Sequence, residues 1–263
     1  MNCKLIHGDC NKEIPKLYEE GIQVDLTVTS PPYDNLRTYN NSLNWDFDIF
    51  KKVANNLYMI TKEGGVVVWI VNDATIDGSE TGTSFRQALY FKEIGFKLYD
   101  TMIFLKKNPI PLTHRRYEQY FEYMFVLTKG KPTTFNPIML RSKQAGMKHC
   151  GTFYKSDDDK LTQVEPYVVK ENKIKGNVFE YTVGNNGNYK HPAMFPLDLA
   201  KDHIISWSNP DDLVLDCFMG SGTTGLASLE TDRNFIGIEL EKKYYDIAVE
   251  RCKDYQSNLE AYL

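Results

Sequence analysis

The chain has 263 residues, a formal net charge of −4 and a mean hydropathy of −0.44. This length suits one large α/β catalytic unit, and the longest apolar run, residues 66–71, is too short to cross a bilayer. The five cysteines are scattered, odd in number and without a CxxC pair, which argues against a disulfide framework and a zinc site. We therefore expect a cytoplasmic protein without a signal peptide, membrane span or metal.

Strands and helices are predicted to alternate along most of the chain. Apolar runs predict strands at residues 24–29, 65–71, 96–105, 120–127, 213–216 and 235–240. Helical spacing of apolar residues predicts helices at residues 46–61, 84–94, 196–207, 223–231 and from residue 242 onward. This alternation is typical of a doubly wound α/β fold with a mostly parallel sheet.

Residues 136–190 interrupt this alternation, because they are rich in Lys, Asn, Gly and Asp and contain only brief apolar runs. We interpret them as a small irregular insert in a catalytic core formed by residues 1–135 and 191–263. Residues 101–150 carry nine basic side chains and two acidic ones, a local excess of seven positive charges. Such an excess would suit a nucleic-acid groove, or a solvated surface balanced by acidic residues elsewhere.

A glycine-rich turn follows the strand predicted at residues 213–216. Gly220, Gly222 and Gly225 are spaced as GxGxxG before the next helix, which allows a tight turn and a close approach of the backbone to a ligand. The following strand reaches Glu239, whose carboxylate can accept hydrogen bonds from ribose hydroxyls. The segment therefore predicts a nucleoside-containing cofactor. NAD is an alternative, but the 24 residues after Glu239 leave room for only one helix.

The strand predicted at residues 24–29 ends at the segment Ser-Pro-Pro-Tyr, residues 30–33, because two prolines cannot continue a central strand. In doubly wound sheets, ligands bind at such strand ends. The prolines would hold the Ser30 hydroxyl and the Pro31 carbonyl as rigid acceptors for an exocyclic amino group. Its nitrogen lone pair would then leave conjugation and face a methyl donor, while Tyr33 stacks on the base. In isolation, the segment would be interpreted more readily as a rigid turn without a ligand.

Two segments of the chain resemble the DNA amino-methyltransferases, which methylate cytosine N4 or adenine N6. They are Thr-Ser-Pro-Pro-Tyr at residues 29–33 and Leu-Asp-Cys-Phe-Met-Gly-Ser-Gly-Thr-Thr at residues 215–224. Their order, with the tetrapeptide first and the cofactor glycines last, resembles the permuted beta class of that family. The resemblance implies a circularly permuted, Rossmann-like fold of the S-adenosylmethionine-dependent methyltransferase type. It does not include residues 136–190, which become the candidate target-recognition region.

The resemblance also implies roles for individual residues. The catalytic residues would be Ser30, Pro31, Pro32 and Tyr33. S-Adenosyl-L-methionine would be bound by Asp9, Ser30, Pro192, Phe195, Asp216, Phe218, Gly220, Ser221, Gly222, Thr223 and Glu239. From the basic excess and the neighbouring loops we expect double-stranded DNA to be bound by Tyr39, His114, Arg115, Arg116, Arg141 and Lys143. No residue is assigned to a metal.

Our prediction of the methylated base rests on residue 30. Ser30 occupies a position that is Asp, Asn or Ser in the family, and serine resembles the cytosine-N4 enzymes more often than the adenine-N6 enzymes. We therefore favour cytosine N4 over adenine N6. A small-molecule or protein methyltransferase would leave the basic excess unused, and a non-catalytic DNA-binding relative would leave the cofactor turn without a role. Family analogy also raises a homodimer and a cognate restriction endonuclease as partners.

Overall fold

The structure is a computed structural model that describes residues 2–33, 45–109, 115–149, 151, 153–155, 161–163, 165–184 and 195–262. Its strands are β1 (Cys3–His7), β2 (Val24–Thr29), β3 (Thr61–Val71), β4 (Thr75–Ile76), β5 (Ser79–Glu80), β6 (Lys97–Lys106), β7 (Phe121–Thr128), β8 (Met139–Arg141), β9 (Lys148–His149), β10 (Phe153–Lys155), β11 (Leu161–Gln163), β12 (Tyr167–Val168), β13 (Asn172–Ile174), β14 (Val178–Tyr181), β15 (Leu213–Asp216) and β16 (Asn234–Glu239). Its helices are α1 (Cys10–Glu19), α2 (Phe47–Ile60), α3 (Thr83–Glu93), α4 (Leu197–Trp207), α5 (Thr223–Leu229) and α6 (Lys242–Tyr262).

One mixed sheet of eight strands forms the centre of the fold, in the order β1-β16-β15-β2-β3-β7-β6-β14. Neighbouring strands are parallel, except that β7 is antiparallel to both β3 and β6. The chain leads from β15 through α5 to β16 on one side, and from β2 through α2 to β3 on the other. The sheet is therefore doubly wound, as predicted, and its connections reverse direction between β15 and β2. Ligands bind at the carboxyl ends of strands beside such a reversal.

Helices cover both faces of the sheet. Successive residues of a strand point to opposite faces, and the residues of β3 from Val66 to Val71 are all buried. On one face, Trp69 packs edge-on against Phe50 of α2. On the other, the thioether of Met124 in β7 lies 3.1 Å from the ring of His203 in α4. The near-continuous apolar sequence of β3 is thus explained by burial on both sides.

Three described elements of the main sheet and its helices were not predicted from the sequence. β1 is short, and α1 begins soon after it at Cys10. Asp9 precedes the helix and caps it, since its carboxylate accepts from the Asn11 amide at 2.9 Å. β14 lies within residues 136–190 but pairs with β6 at the edge of the sheet. β3 was predicted at residues 65–71 but begins at Thr61, since the strand also includes Gly64, which was expected to separate α2 from it.

The chain divides into two compact units. The first, Met1–Asn136 with Asn177–Leu263, contains the eight-stranded sheet and helices α1 to α6. The second, Pro137–Gly176, is built from the antiparallel pairs β8–β13, β9–β12 and β10–β11. Within the described residues, the structure contains no helix long and apolar enough to span a bilayer.

Candidate active site

The predicted catalytic and cofactor residues lie at the carboxyl ends of four adjacent parallel strands, which together we call the sheet edge of the active site. In sheet order, they are Asp9 after β1, Glu239 at the end of β16, Asp216 at the end of β15 and Ser30 after β2. Hydrogen bonds join neighbouring strand ends. The Gly8 amide donates to the Glu239 carbonyl at 2.9 Å, and the Thr29 hydroxyl donates to the Asp216 carboxylate at 2.7 Å. The two motifs are distant in sequence but adjacent at the point where the connections reverse.

Asp216 stabilises the start of the glycine turn. Its side chain is buried and accepts hydrogen bonds from the hydroxyls of Thr29 (2.7 Å) and Thr224 (2.6 Å) and from the Phe218 amide (3.1 Å). Burial raises the pKa of Asp216 to about 6, and the three hydrogen bonds oppose this rise. Because its carboxylate is enclosed by these groups, Asp216 connects the turn to β2 and α5.

The raised pKa of Asp216 predicts a pH-dependent stability. The folded chain holds the proton more tightly than the unfolded chain, whose ordinary pKa is 3.8. The resulting stabilisation is complete below pH 3.8 and is lost as the pH rises past about 6. From pH 4 to pH 7, the free energy of unfolding of the wild type should therefore fall by about 2 kcal/mol relative to that of Asp216→Asn. Urea titrations of both proteins would measure this. A difference that stays constant with pH would contradict it.

The glycine turn is held by α6. Gly220 and Gly222 have φ angles of 53° and 82°, which favour glycine. The buried guanidinium of Arg251 donates to the Ser221 carbonyl at 2.7 Å and hydroxyl at 3.2 Å, and to the Thr223 hydroxyl at 3.5 Å. The side chains of Ser221 and Thr223, predicted to bind the cofactor, are thus engaged within the fold. Sequence reasoning missed Arg251, since nothing in the helical pattern of α6 distinguishes it.

The carboxylate of Glu239 lies beside this turn. It accepts hydrogen bonds from the amides of Gly220 and Glu241, each at 2.8 Å, and burial raises its pKa while these bonds oppose the rise. A carboxylate offers about four acceptor positions, so two amides leave capacity for ribose hydroxyls. Next to the turn, the Phe218 ring packs edge-on against Trp45 at 5.4 Å and forms an apolar wall. These residues fit a nucleoside. Phe195 is half-buried before α4, and the predicted ligand Pro192 lies outside the described residues.

The tetrapeptide after β2 contains a side-chain hydrogen bond that was not predicted. The Ser30 hydroxyl lies 3.0 Å from the Tyr33 hydroxyl, which donates to the Glu122 carboxylate at 2.8 Å. The Tyr33 ring is half-buried and packs against the main hydrophobic core. Pro31 is buried and Pro32 is half-buried. Sequence reasoning missed Glu122, because it follows Tyr33 by 89 residues and only the sheet brings the two together.

The predicted DNA contacts are distributed over several parts of the chain. Arg115 and Arg116 are exposed, and Arg116 donates to the Gly78 carbonyl. Arg141 and Lys143 are exposed in the second unit. Tyr39 and His114 lie outside the described residues.

Some of the basic excess in residues 101–150 serves the fold. The Lys129 ammonium donates to the carbonyls of Tyr58 (2.7 Å) and Thr61 (2.9 Å). Lys106 forms an ion pair with Glu122. Because these two ammonium groups are engaged within the fold, the positive charge available to DNA is smaller than the sequence count.

Comparison with known proteins identifies relatives over almost the whole chain. The N6/N4 methyltransferase family model, described as DNA methylase, matches residues 24–250. The orphan methyltransferase M.BamHII of Bacillus amyloliquefaciens is 48% identical over 241 residues, which cover 88% of this chain and 89% of that protein. The DNA adenine methyltransferase YhdJ of Escherichia coli (strain K12) is 28% identical over 261 residues, which cover 94% and 81% of the two chains.

Solved structures share the fold. The M1.HpyAVI–SAM complex superposes with a TM-score of 0.61 at 27% identity and covers 95% of this chain and 99% of that chain. PvuII DNA methyltransferase, described as cytosine-N4-specific, superposes with a TM-score of 0.68 at 19% identity and covers 95% and 86%. At that identity the second match concerns the fold alone. The family match, the 48% identity and the geometry of the sheet edge agree, and the chain belongs to the N6/N4 family of DNA methylases.

Proposed function

We propose that the chain transfers a methyl group from S-adenosyl-L-methionine to the exocyclic amino group of a base flipped out of duplex DNA, with cytosine N4 as the acceptor. The hydrogen bond from Thr29 to Asp216 carries this proposal, because it fixes the Ser-Pro-Pro-Tyr segment beside the glycine turn. A base held by that segment would therefore meet a methyl donor held by the turn. The similarity to the M1.HpyAVI–SAM complex supports the choice of cofactor.

The cofactor would be held by the ends of three adjacent strands. Glu239 has acceptor capacity for the ribose hydroxyls, and Asp9 lies beside it at the end of β1. The backbone of the glycine turn would approach the ligand closely, and Phe218 would provide an apolar wall beside it. When bound, S-adenosylmethionine supplies an electrophilic methyl group attached to a sulfonium.

The amino group would be activated by two acceptors. If the Ser30 hydroxyl oxygen and the Pro31 carbonyl each accept one amino hydrogen, the nitrogen moves towards tetrahedral geometry and its lone pair can face the methyl group. The lone pair would form the new bond to the methyl carbon as the bond from that carbon to sulfur breaks, so that the sulfur leaves as a neutral thioether. The nitrogen would then lose one proton to water. The Tyr33 ring would stack on the flipped base, an interaction of about 1 to 3 kcal/mol.

The proposed acceptor, cytosine N4 or adenine N6, is argued separately from the methyl transfer itself. Serine at residue 30 favours cytosine N4, whereas the similarity to a protein named DNA adenine methyltransferase favours adenine N6. Both bases present an amino group to two acceptors, so the chemistry described above applies to either. Adenine N6 is therefore the second candidate.

The product of the reaction distinguishes these candidates. The purified protein would be incubated with methyl-labelled S-adenosylmethionine and mixed-sequence duplex DNA, and the DNA would then be digested to nucleosides for mass analysis. Labelled N4-methylcytosine supports the proposal in full. Labelled N6-methyladenine overturns the assignment of the base and keeps the mechanism. Absence of label from the DNA, with the cofactor bound, overturns the proposed activity.

We also propose that the second unit, together with Tyr39 and the segment around His114, Arg115 and Arg116, contacts DNA and determines the target sequence. The second unit presents apolar side chains to solvent, including Met139, Tyr167 and Ile174, each about half exposed. Exposed polar and apolar groups on a small antiparallel unit are suited to contacts with base edges and phosphates. A homodimer and a cognate restriction endonuclease stay predictions from the resemblance.

Replacing Arg141 and Lys143 together with alanine should weaken DNA binding without impairing the fold. Both side chains are exposed, and Arg141 lies 3.8 Å from Glu171 in an ion pair that solvent screens. If each contacts one phosphate, the slope of log K against log salt should become shallower by about 2. Filter binding at several salt concentrations measures the slope.

A matched double replacement of Lys4 and Lys16, which are exposed near β1 and α1, controls for the loss of two positive charges. Its salt slope should equal that of the wild type. An unchanged slope in the Arg141 and Lys143 variant would remove these two residues from the DNA interface.

A further inference from the structure

The phenol of Tyr33 connects Ser30 to a partly buried ion pair. The Ser30 and Tyr33 hydroxyl oxygens are 3.0 Å apart, and the Tyr33 hydroxyl donates to Oε2 of Glu122 at 2.8 Å. The other carboxylate oxygen of Glu122, Oε1, lies 2.8 Å from the ammonium of Lys106. The side chains of Lys106 and Glu122 are only 19% and 15% exposed, so the ion pair is weakly screened by solvent. These four side chains form one continuous chain, which we call the Ser30–Lys106 chain.

The topology of the sheet explains why these residues meet. β7 is antiparallel to its neighbours, so its first residues lie at the edge where β2 and β6 end. Glu122 is paired with Phe104 of β6, and Lys106 lies two residues further along the same face of that strand. Such diagonal positions bring long side chains into contact. Glu122, the second residue of β7, therefore lies beside the carboxyl ends of β2 and β6. If β7 were parallel to its neighbours, its second residue would lie at the opposite ends of these strands.

The Glu122 carboxylate determines the direction of each hydrogen bond in the Ser30–Lys106 chain. An ionised carboxylate only accepts hydrogen bonds, and Lys106 already donates to Oε1 of Glu122. Tyr33 has one hydroxyl hydrogen, and Glu122 receives it. In the short contact between Ser30 and Tyr33, the hydrogen must therefore come from Ser30. The oxygen of Ser30 then turns its lone pairs away from Tyr33 and acts as an acceptor.

We propose that Glu122, held by Lys106, is a positioning residue that makes the Ser30 hydroxyl an acceptor for the substrate amino group. The inference rests on the proposed function, in which Ser30 must accept one amino hydrogen. A serine hydroxyl in isolation rotates freely and can donate to the amino nitrogen, which would occupy the lone pair that attacks the methyl group. The carboxylate removes this alternative by fixing the direction of both hydroxyl hydrogens. Glu122 thus acts through Tyr33 and Ser30 without touching the base.

The variant Glu122→Gln should reverse the direction of the hydrogen bonds in the Ser30–Lys106 chain. With Lys106 present, the amide oxygen of the new side chain faces the ammonium, and its NH2 group faces and donates to the Tyr33 oxygen. The Tyr33 hydrogen then points at Ser30, whose oxygen is no longer available to the substrate. The single-turnover rate of methyl transfer to DNA should fall about 10²-fold. The dissociation constant for S-adenosylmethionine should remain close to that of the wild type. Because the substitution leaves Lys106 unpaired, both rates would be measured well below the lower of the two melting temperatures.

A second substitution distinguishes orientation from simple support of the fold. Adding Lys106→Met to Glu122→Gln removes the ammonium, so the amide can turn its oxygen to Tyr33 and restore the original direction. The double variant should recover about 10-fold of the lost rate. If Glu122 and Lys106 merely supported the fold, the rate would recover only together with the melting temperature, because Lys106→Met also removes an unpaired, partly buried charge. A double variant no faster than Glu122→Gln, or one whose rate recovers only in proportion to its melting temperature, overturns the proposal.

The variant Tyr33→Phe tests the chain if Glu122→Gln fails to fold, since it removes one oxygen atom and keeps the ring. It should lose rate to a similar extent, because Ser30 is then free to rotate. A Tyr33→Phe variant with the full wild-type rate overturns the proposal. If the wild type methylates DNA and Glu122→Gln does so at the same rate, this inference is overturned and the proposed function is not. If the wild type transfers no methyl group to DNA, the proposed function is overturned and this inference with it.

Discussion

A Ser30→Ala variant is expected to bind S-adenosylmethionine as tightly as the wild type but to methylate DNA at least about 10²-fold more slowly. The substitution removes one of the two acceptors proposed for the amino group. Ser30 itself follows β2, whereas the cofactor turn is held by Asp216, Glu239 and Arg251. The expected loss therefore concerns the transfer step. Single-turnover transfer and equilibrium binding of the cofactor, measured on one preparation, would separate the two effects.

The fold should tolerate this substitution. Tyr33 keeps its hydrogen bond to Glu122 when the Ser30 hydroxyl is absent, so the tetrapeptide remains attached to β7. Ser79→Ala removes the same atom from the exposed first residue of β5 and should leave the transfer rate unchanged. A Ser30→Ala enzyme that methylates DNA at the wild-type rate would refute the assignment of Ser30 as a catalytic residue.

The sequence predicts the sheet well where burial is strong and continuous. β2, β15 and β16 are recognisable because most of their residues are buried, and at least half of the residues in each strand are Val, Leu, Ile or Phe. β14 escapes prediction because it is a four-residue edge strand with alternating exposure inside a polar segment. Its place in the sheet depends on pairing with β6, and that partner is distant in sequence.

The active-site edge is predictable only in part, for a similar reason. The glycine turn and the tetrapeptide carry their own local geometry, so their sequences indicate a strand end and a sharp turn. Glu122, Lys106 and Arg251 have no such local signal: each is a charged residue in an ordinary strand or helix. Their roles arise from strand order and from the packing of α6, which are tertiary properties. Sequence reasoning therefore finds the residues that shape the backbone more readily than the residues that position them.

Gly222→Val is expected to abolish cofactor binding through the packing of the turn. Gly222 has a φ of 82°, and a Cβ atom there would lie 2.9 Å from Cβ and 3.1 Å from Cα of Ala248 in α6. Either α6 or the turn must move, and Arg251, one turn further along α6, binds the backbone and side chain of Ser221. Displacement would therefore disturb the segment that holds Glu239 and Phe218. Isothermal titration with S-adenosylmethionine should show affinity weakened by at least about 10²-fold.

Gly21→Val separates backbone strain from this collision. Gly21 has a φ of 81°, nearly that of Gly222, but a Cβ atom there would meet nothing within 4 Å. Its variant should lose about 1 to 2 kcal/mol of stability and bind the cofactor normally. In a Gly222→Ala background, Ala248→Gly removes the nearest colliding atom and should restore part of the affinity. Such rescue would mean that this glycine serves the contact between the turn and α6, whereas a lack of rescue would locate its function at the cofactor.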